Sequence, residues 1–119
     1  MLCYWGYGAN TMRKTQLERL TDQMVKRIVQ RFNPERIILF GSAARGDATP
    51  DSDVDLLVVV PVEGLKHEKQ LAIRKSLRGI RAPVDIIVST PEEFRWRQEI
   101  VGTIEYPAVK EGKVLYARP

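Results

Sequence analysis

Apolar residues three or four positions apart near the start of the chain predict an amphipathic helix that ends at Asn33-Pro34. Its apolar positions are Leu17, Leu20, Met24, Ile28 and Phe32. The apolar runs that follow are too short for helices, which predicts buried strands. These strands are residues 36–40, residues 55–60, which Pro61 ends, and residues 84–89, which follow Pro83.

Two more helices and a last strand are predicted between and after these runs. Residues 63–79 are polar with spaced apolar positions, which predicts a helix that ends near Gly79. A further helix is expected to begin at residue 90, with Thr90 as N-cap, Pro91 as its first residue and Glu93 as capping-box partner. Residues 110–116 predict a turn followed by a short final strand.

The order of these elements predicts the fold class. Only the connection through the second helix is long enough to join parallel strands. We therefore expect an α/β protein of the α+β type, with a small mixed β-sheet backed by helices on one face. Residues 15–119 are expected to form the domain. Residues 1–14, which have neither the basic start nor the apolar stretch of a secretory signal, are expected to be a poorly ordered N-terminal extension.

Composition narrows the class of protein. At 119 residues there is room for one domain, and no apolar run is long enough to span a membrane. The single cysteine, Cys3, excludes an internal disulfide and fits a reducing cytoplasm, where we expect the protein. The formal net charge of +4 fits a polyanionic partner such as a nucleotide, or solubility alone, and no charge run resembles a nucleic-acid-binding arm.

The loop after the first predicted strand has features of a phosphate-binding turn. Gly41 and Gly46 permit positive φ and a close approach of the main chain to a ligand. Ser42 offers a hydroxyl and an N–H group, and Arg45 adds a fixed positive charge. A Gly-Ser turn alone is also typical of an ordinary surface loop.

Three carboxylates lie on the second and third predicted strands. Asp53 and Asp55 are two residues apart, so on a strand their side chains share one face, about 6.6 Å apart along it. They also fit the solvated acids that often mark a strand start. Asp85 lies inside an apolar strand, where an uncompensated carboxylate would be costly. If the two strands are neighbours, the three acids form an oxygen-ligand site suited to Mg²⁺ or Mn²⁺.

Gly41-Ser42, ten residues and then Asp53-x-Asp55, with a later strand carboxylate at Asp85, resemble the nucleotidyltransferase superfamily of DNA polymerase β. The surrounding sequences are similar to its minimal nucleotidyltransferase branch over residues 39–46, 52–58 and 111–116. The resemblance implies the nucleotidyltransferase fold and transfer of a nucleoside monophosphate, usually AMP from ATP, to a hydroxyl.

The resemblance also implies roles for individual residues. Gly41 and Ser42 would contact the triphosphate, with Arg45 in the same loop. Asp53, Asp55 and Asp85 would be the catalytic residues and would bind magnesium, with two ions expected and Mn²⁺ as the alternative. Asp85 would hold the ion that activates the nucleophile and would take its proton.

A partner protein is expected to bring the acceptor, because larger members of the superfamily add a helical domain that this chain has no length to form. In the family, the minimal proteins are typically paired with an all-helical HEPN-domain protein in two-component or toxin–antitoxin systems. In the last predicted helix, Trp96 and Ile100 share a face that we expect to contact this partner. Phe94 and Val101 share another face, which we expect to fill the protein's own core.

Other functions fit the same residues. The chain could neutralise a toxin by binding alone, with vestigial catalysis. It could also transfer the nucleotide to a small molecule such as an aminoglycoside, or to an RNA end, or bind DNA as an autoregulator. His67 is expected to be a solvated surface residue. Solvated charge is likewise favoured over a basic face near the nucleotide for Arg74, Lys75, Arg78 and Arg81.

Overall fold

The computed structural model describes residues 16–41, 54–80 and 83–118. In chain order, their helices and strands are α1 (Gln16–Phe32), β1 (Arg36–Phe40), β2 (Val54–Val59), α2 (Lys66–Ser76), β3 (Val84–Ser89), α3 (Pro91–Arg97), α4 (Glu105–Glu111) and β4 (Lys113–Ala117). The predicted extension 1–14 and its boundary at residue 15 lie outside these ranges. Of the helices described, none is both long enough and apolar enough to cross a membrane.

Local signals in the sequence set two helix ends, and both predictions are confirmed. α1 stops at Asn33, which adopts a left-handed φ of 47° and donates its N–H to the carbonyl of Val29 at 3.1 Å. α3 begins with a complete capping box. The Thr90 hydroxyl accepts from the Glu93 N–H at 3.1 Å, and the Glu93 carboxylate accepts from the Thr90 N–H at 3.3 Å.

The four strands form a mixed sheet in the order β3-β2-β1-β4. β1 pairs antiparallel with β2 and with β4, whereas β2 and β3 are parallel. The parallel pair is the one joined through α2, as the length of that connection predicted. The mixed sheet backed by helices is therefore confirmed.

Side chains that alternate along the strands build a core on each face of the sheet. Leu56 and Val58 of β2 pack in the larger cluster with the apolar sides of α1 and α2, so the two longer helices share one face. Leu57 and Val59 point the other way and pack with Phe94 of α3, together with a residue of α4. Helices were expected on one face of the sheet only, and this second layer of short helices corrects that expectation.

The segment between α3 and β4 differs most from expectation. α3 ends at Arg97 instead of continuing to Val101. The Thr103 hydroxyl lies 2.8 Å from the carbonyl oxygens of both Arg97 and Ile100, and its hydrogen bonds to them stabilise a turn in place of the helix. α4 was not predicted. Its Pro107 lies in the first turn, where a helix needs no N–H donor and tolerates proline.

Gly112 lies where α4 meets β1. A Cβ atom there would overlap the carbonyl oxygen of Ala108 and would lie 2.7 Å from Ile38 Cγ2. We expect Gly112→Ala to lower the free energy of unfolding by about 1–3 kcal/mol, since this contact cannot open without moving the helix or the strand. Urea denaturation measures this change in the free energy of unfolding. Val109→Ala, exposed on the same helix, is the control and should cost under about 0.5 kcal/mol.

Candidate active site

Three of the predicted site residues meet at one end of the sheet. Gly41 directly follows β1, and Asp55 and Asp85 are the second residues of β2 and β3. In the strand register Phe40 is paired with Asp55, and Asp55 with Asp85. Adjacent strands are about 4.8 Å apart, and paired residues share a face. The two carboxylates are therefore neighbours, as the sequence predicted on the condition that β2 and β3 adjoin.

Gly41 touches the Asp55 carboxylate. Its φ is +76°, in the region that favours glycine, and an added Cβ would overlap Asp55 Oδ2 and lie 3.3 Å from Cγ. The positive φ expected at Gly41 is confirmed. The close approach of its main chain to a ligand stays a prediction, and the group beside Gly41 in this structure is the Asp55 carboxylate. Any larger residue would displace the side chain of Asp55.

The metal site predicted from the sequence is described only in part. Ser42, Arg45 and Asp53 lie outside the described residues. Within the described ranges, no three His, Cys, Asp or Glu side chains lie close enough together to hold a metal ion. Asp55 and Asp85 nevertheless supply adjacent carboxylate oxygens, the donors that Mg²⁺ and Mn²⁺ prefer.

The environment of Asp85 corrects one step of the sequence reasoning. Asp85 was expected to be buried in a strand apolar on both faces, but it is exposed at the start of β3. Burial begins one residue later, at Ile86. No buried charge has to be compensated here. The reason to assign Asp85 to the site is its register with Asp55.

A cleft of about 360 Å³ opens beside the two carboxylates. Strand residues line one side and α2 lines another, with one residue from the turn before α4. The lining residues are Phe40, Asp55, His67, Gln70, Leu71, Arg74, Asp85, Ile86, Ile87 and Ile104. His67 is exposed, as expected, but it also lines the cleft, as does Arg74. The sequence contained a signal for this wall, because these two residues are spaced three or four positions from Gln70 and Leu71 and so share one helix face with them.

α2 is fixed against the outer edge of β3. Arg74 donates from Nη2 to the carbonyl of Val84 at 3.3 Å, and the Gln70 side-chain oxygen accepts from the N–H of Val88 at 3.4 Å. These bonds satisfy strand groups that point away from β2. They place the cleft-lining side of α2 directly beside Asp85.

Two ion pairs join the helices around the cleft. Lys66 at the start of α2 lies 2.7 Å from Glu93 of α3, and its ammonium lowers the pKa of that carboxyl below its ordinary value. Glu105, 2% exposed, accepts from Arg97 at 3.1 Å and from the Ser89 hydroxyl at 2.9 Å. Because Glu105 begins α4, its bonds to Arg97 and Ser89 fix the position of the preceding residue, Ile104, which lines the cleft. Nothing in the sequence indicated it.

An exposed apolar surface lies next to these pairs. Trp96 and Ile100 were expected to share a face of one helix, but α3 ends at Arg97 and Ile100 lies in the turn that follows. Both side chains are exposed, Trp96 to 57% and Ile100 to 42%. Phe94 is buried, as expected for a core residue. Val101 was expected in the core, but it is 77% exposed, since the helix ends before it and the turn directs it outward.

Comparison with known proteins gives a family and two relatives. Residues 22–110 match the model of the nucleotidyltransferase domain family. A candidate protein adenylyltransferase of Methanocaldococcus jannaschii is 36% identical over 83 residues, which are 69% of this chain and 78% of that protein. A second candidate protein adenylyltransferase of that organism is 44% identical over 55 residues, 46% of this chain and 54% of that protein.

Two solved structures share the fold. A toxin–antitoxin crystal structure with AMP-PNP superimposes with a TM-score of 0.61 at 20% identity, covering 82% of this chain and 73% of that chain. A candidate nucleotidyltransferase of Sulfolobus solfataricus gives a TM-score of 0.52 at 28% identity, covering 72% of this chain and 82% of that one.

Proposed function

The chain belongs to the nucleotidyltransferase domain family of enzymes, and we propose that it transfers AMP from ATP to a hydroxyl group of a partner protein. The predicted nucleotidyltransferase fold is confirmed. The main support for the activity is the in-register pair Asp55 and Asp85 beside Gly41, since two adjacent carboxylates are the ligands that magnesium prefers. The names of the two archaeal relatives favour a protein as acceptor.

In this mechanism, Asp53, Asp55 and Asp85 would hold Mg²⁺, which when bound neutralises phosphate charge and lowers the pKa of the attacking hydroxyl. Gly41, Ser42 and Arg45 would contact the triphosphate. The acceptor oxygen attacks the α-phosphorus, and the bond from that phosphorus to the α,β-bridging oxygen breaks. Pyrophosphate leaves, and the carboxylate of Asp85 takes the hydroxyl proton.

The partner is proposed to be a HEPN-type helical protein, as the family resemblance implies, in a toxin–antitoxin pair within the cytoplasm. Trp96 and Ile100 are the proposed contact residues, because both are large, apolar and exposed. Val101, the residue after Ile100, is exposed as well. Aromatic and aliphatic side chains exposed together are typical of protein interfaces.

The test uses ATP labelled at the α-phosphate, magnesium and the protein encoded beside this chain in its genome. We expect labelled AMP on that protein, and none when Asp53→Ala/Asp55→Ala replaces the unmodified chain. Equal labelling by the double variant would disprove the proposal, as would no label on the partner. Labelling of an aminoglycoside without a partner would favour a small-molecule acceptor. Full protection of cells by the double variant would favour neutralisation by binding.

A further inference from the structure

On α2 and on the turn before α4, the cleft contains groups for which the proposed mechanism has no use. Leu71 is 41% exposed and Ile104 39%, and both line the cleft. Arg74 lines the same side and is exposed apart from its bond to the Val84 carbonyl. Exposed apolar side chains beside a fixed cation in a cleft are typical of a binding surface.

The strand order separates the two ends of the site. Gly41 follows β1, and Asp55 and Asp85 lie on the next two strands outward. α2 lies beyond β3, against its outer edge. A phosphate held at the Gly41 turn is therefore on one side of the carboxylate pair and the α2 wall on the other. A ligand against α2 meets Asp85, the proposed proton acceptor, before Asp55.

Contacts within the chain hold this wall in place. Arg74 and Gln70 fix α2 to β3, and the Lys66–Glu93 pair fixes its start to α3. The buried Glu105 holds the turn that contains Ile104. Since these contacts order the wall in advance, a ligand would bind there with little ordering cost.

The charge of the wall indicates what it binds. Among the residues that the structure describes, Arg74, three positions after Leu71, is the one Lys or Arg that lines the cleft. A ligand that buries an apolar group against Leu71 and Ile104 would therefore be stabilised by a carboxylate facing Arg74.

We propose that the wall formed by Leu71, Arg74 and Ile104 is the acceptor subsite, and that it binds a protein segment in which the acceptor hydroxyl is flanked by an apolar and an acidic residue. This assignment rests on the proposed function and adds the specificity of the second substrate. The nucleotide is bound at the other end of the site.

The first experiment compares two substrates. The probes are synthetic peptides with one serine, threonine or tyrosine hydroxyl, flanked by Leu and Asp or by Leu and Lys. The unmodified chain should label the Leu/Asp peptides about tenfold faster at low concentration. Arg74→Glu should reverse this preference toward Leu/Lys, whereas Lys75→Glu, on the same helix but outside the cleft lining, should keep it.

The second experiment separates acceptor from nucleotide. Leu71→Gln/Ile104→Gln should raise KM for the Leu/Asp peptide at least about tenfold, because the apolar contact is lost. The Kd for ATP with magnesium, measured by calorimetry, should stay within about twofold. Val109→Gln, equally exposed but outside the cleft, is the matched control and should change neither quantity.

Each contrary result has a distinct meaning. An equal rise in the Kd for ATP would assign the wall to the nucleotide and overturn the acceptor assignment. So would equal labelling of both peptide sets, no reversal by Arg74→Glu, or label on no peptide from a chain that labels its partner protein. Label on neither peptide nor partner would overturn the proposed function itself.

Discussion

Asp85→Asn is expected to lower the rate of AMP transfer about a thousandfold while the fold remains intact. Asparagine keeps the shape of the side chain but removes one charged ligand for magnesium and the proposed proton acceptor. A loss of about 4 kcal/mol in the transition state corresponds to this factor. The measurement is the initial rate of label transfer from ATP to the partner at saturating magnesium. Asp55→Asn should lower this rate by a similar factor.

The stability of Asp85→Asn should stay the same or rise, although its rate of AMP transfer falls. Asp55 and Asp85 are like charges on paired positions of adjacent strands, so without metal their repulsion destabilises the folded chain. The melting temperature of the variant without magnesium should equal or exceed that of the unmodified chain. Glu68→Gln, an exposed acid of α2 outside the cleft, is the control for both measurements. A variant that keeps more than about a tenth of the rate would contradict the role of Asp85.

Gly41→Ala is expected to lower transfer about a hundredfold and the free energy of unfolding by about 1–3 kcal/mol. The new Cβ would overlap the Asp55 carboxylate, and a displaced catalytic group commonly costs this factor in rate. The positive φ of +76° adds backbone strain. Rates of AMP transfer and urea denaturation of the same preparation measure the two effects.

Gly64→Ala separates strain from displacement. Gly64 has a φ of +94°, but a Cβ there would meet no atom within 4 Å. This control should therefore lose about 1 kcal/mol of stability and keep its activity. If both glycine variants keep full activity, the contact between Gly41 and Asp55 has no part in the reaction.

Elements with local signals were predicted well from the sequence. The end of α1 at Asn33 and the start of α3 at Thr90 depend on caps that involve residues within four positions of each other. The end of α3 at Arg97 and the presence of α4 were missed. Both depend on contacts with residues outside the helix concerned, such as the Thr103 hydroxyl and the Ser89–Glu105 pair. No periodic pattern reports such contacts.

Of the residues predicted for the site, Gly41, Asp55 and Asp85 lie together in the structure, but the surroundings of the site were not predicted. The reason given for Asp85, a costly burial, was wrong, and its place beside Asp55 comes from strand register. Two of the α2 residues that line the cleft, His67 and Arg74, were interpreted as solvated surface residues. Exposure alone does not distinguish a solvated helix face from the wall of a cleft, because both contact water.

The sequence by itself determined the strands and longer helices, the α+β class, the family pattern and which acids and glycines to consider. These follow from periodicity, capping and turn chemistry, which act over a few residues. Only the tertiary structure decided that Asp55 is paired with Asp85, that Gly41 touches Asp55 and that α2 forms a wall beside them. Those contacts join residues far apart in the chain, and the packing of the whole sheet selects among the alternatives.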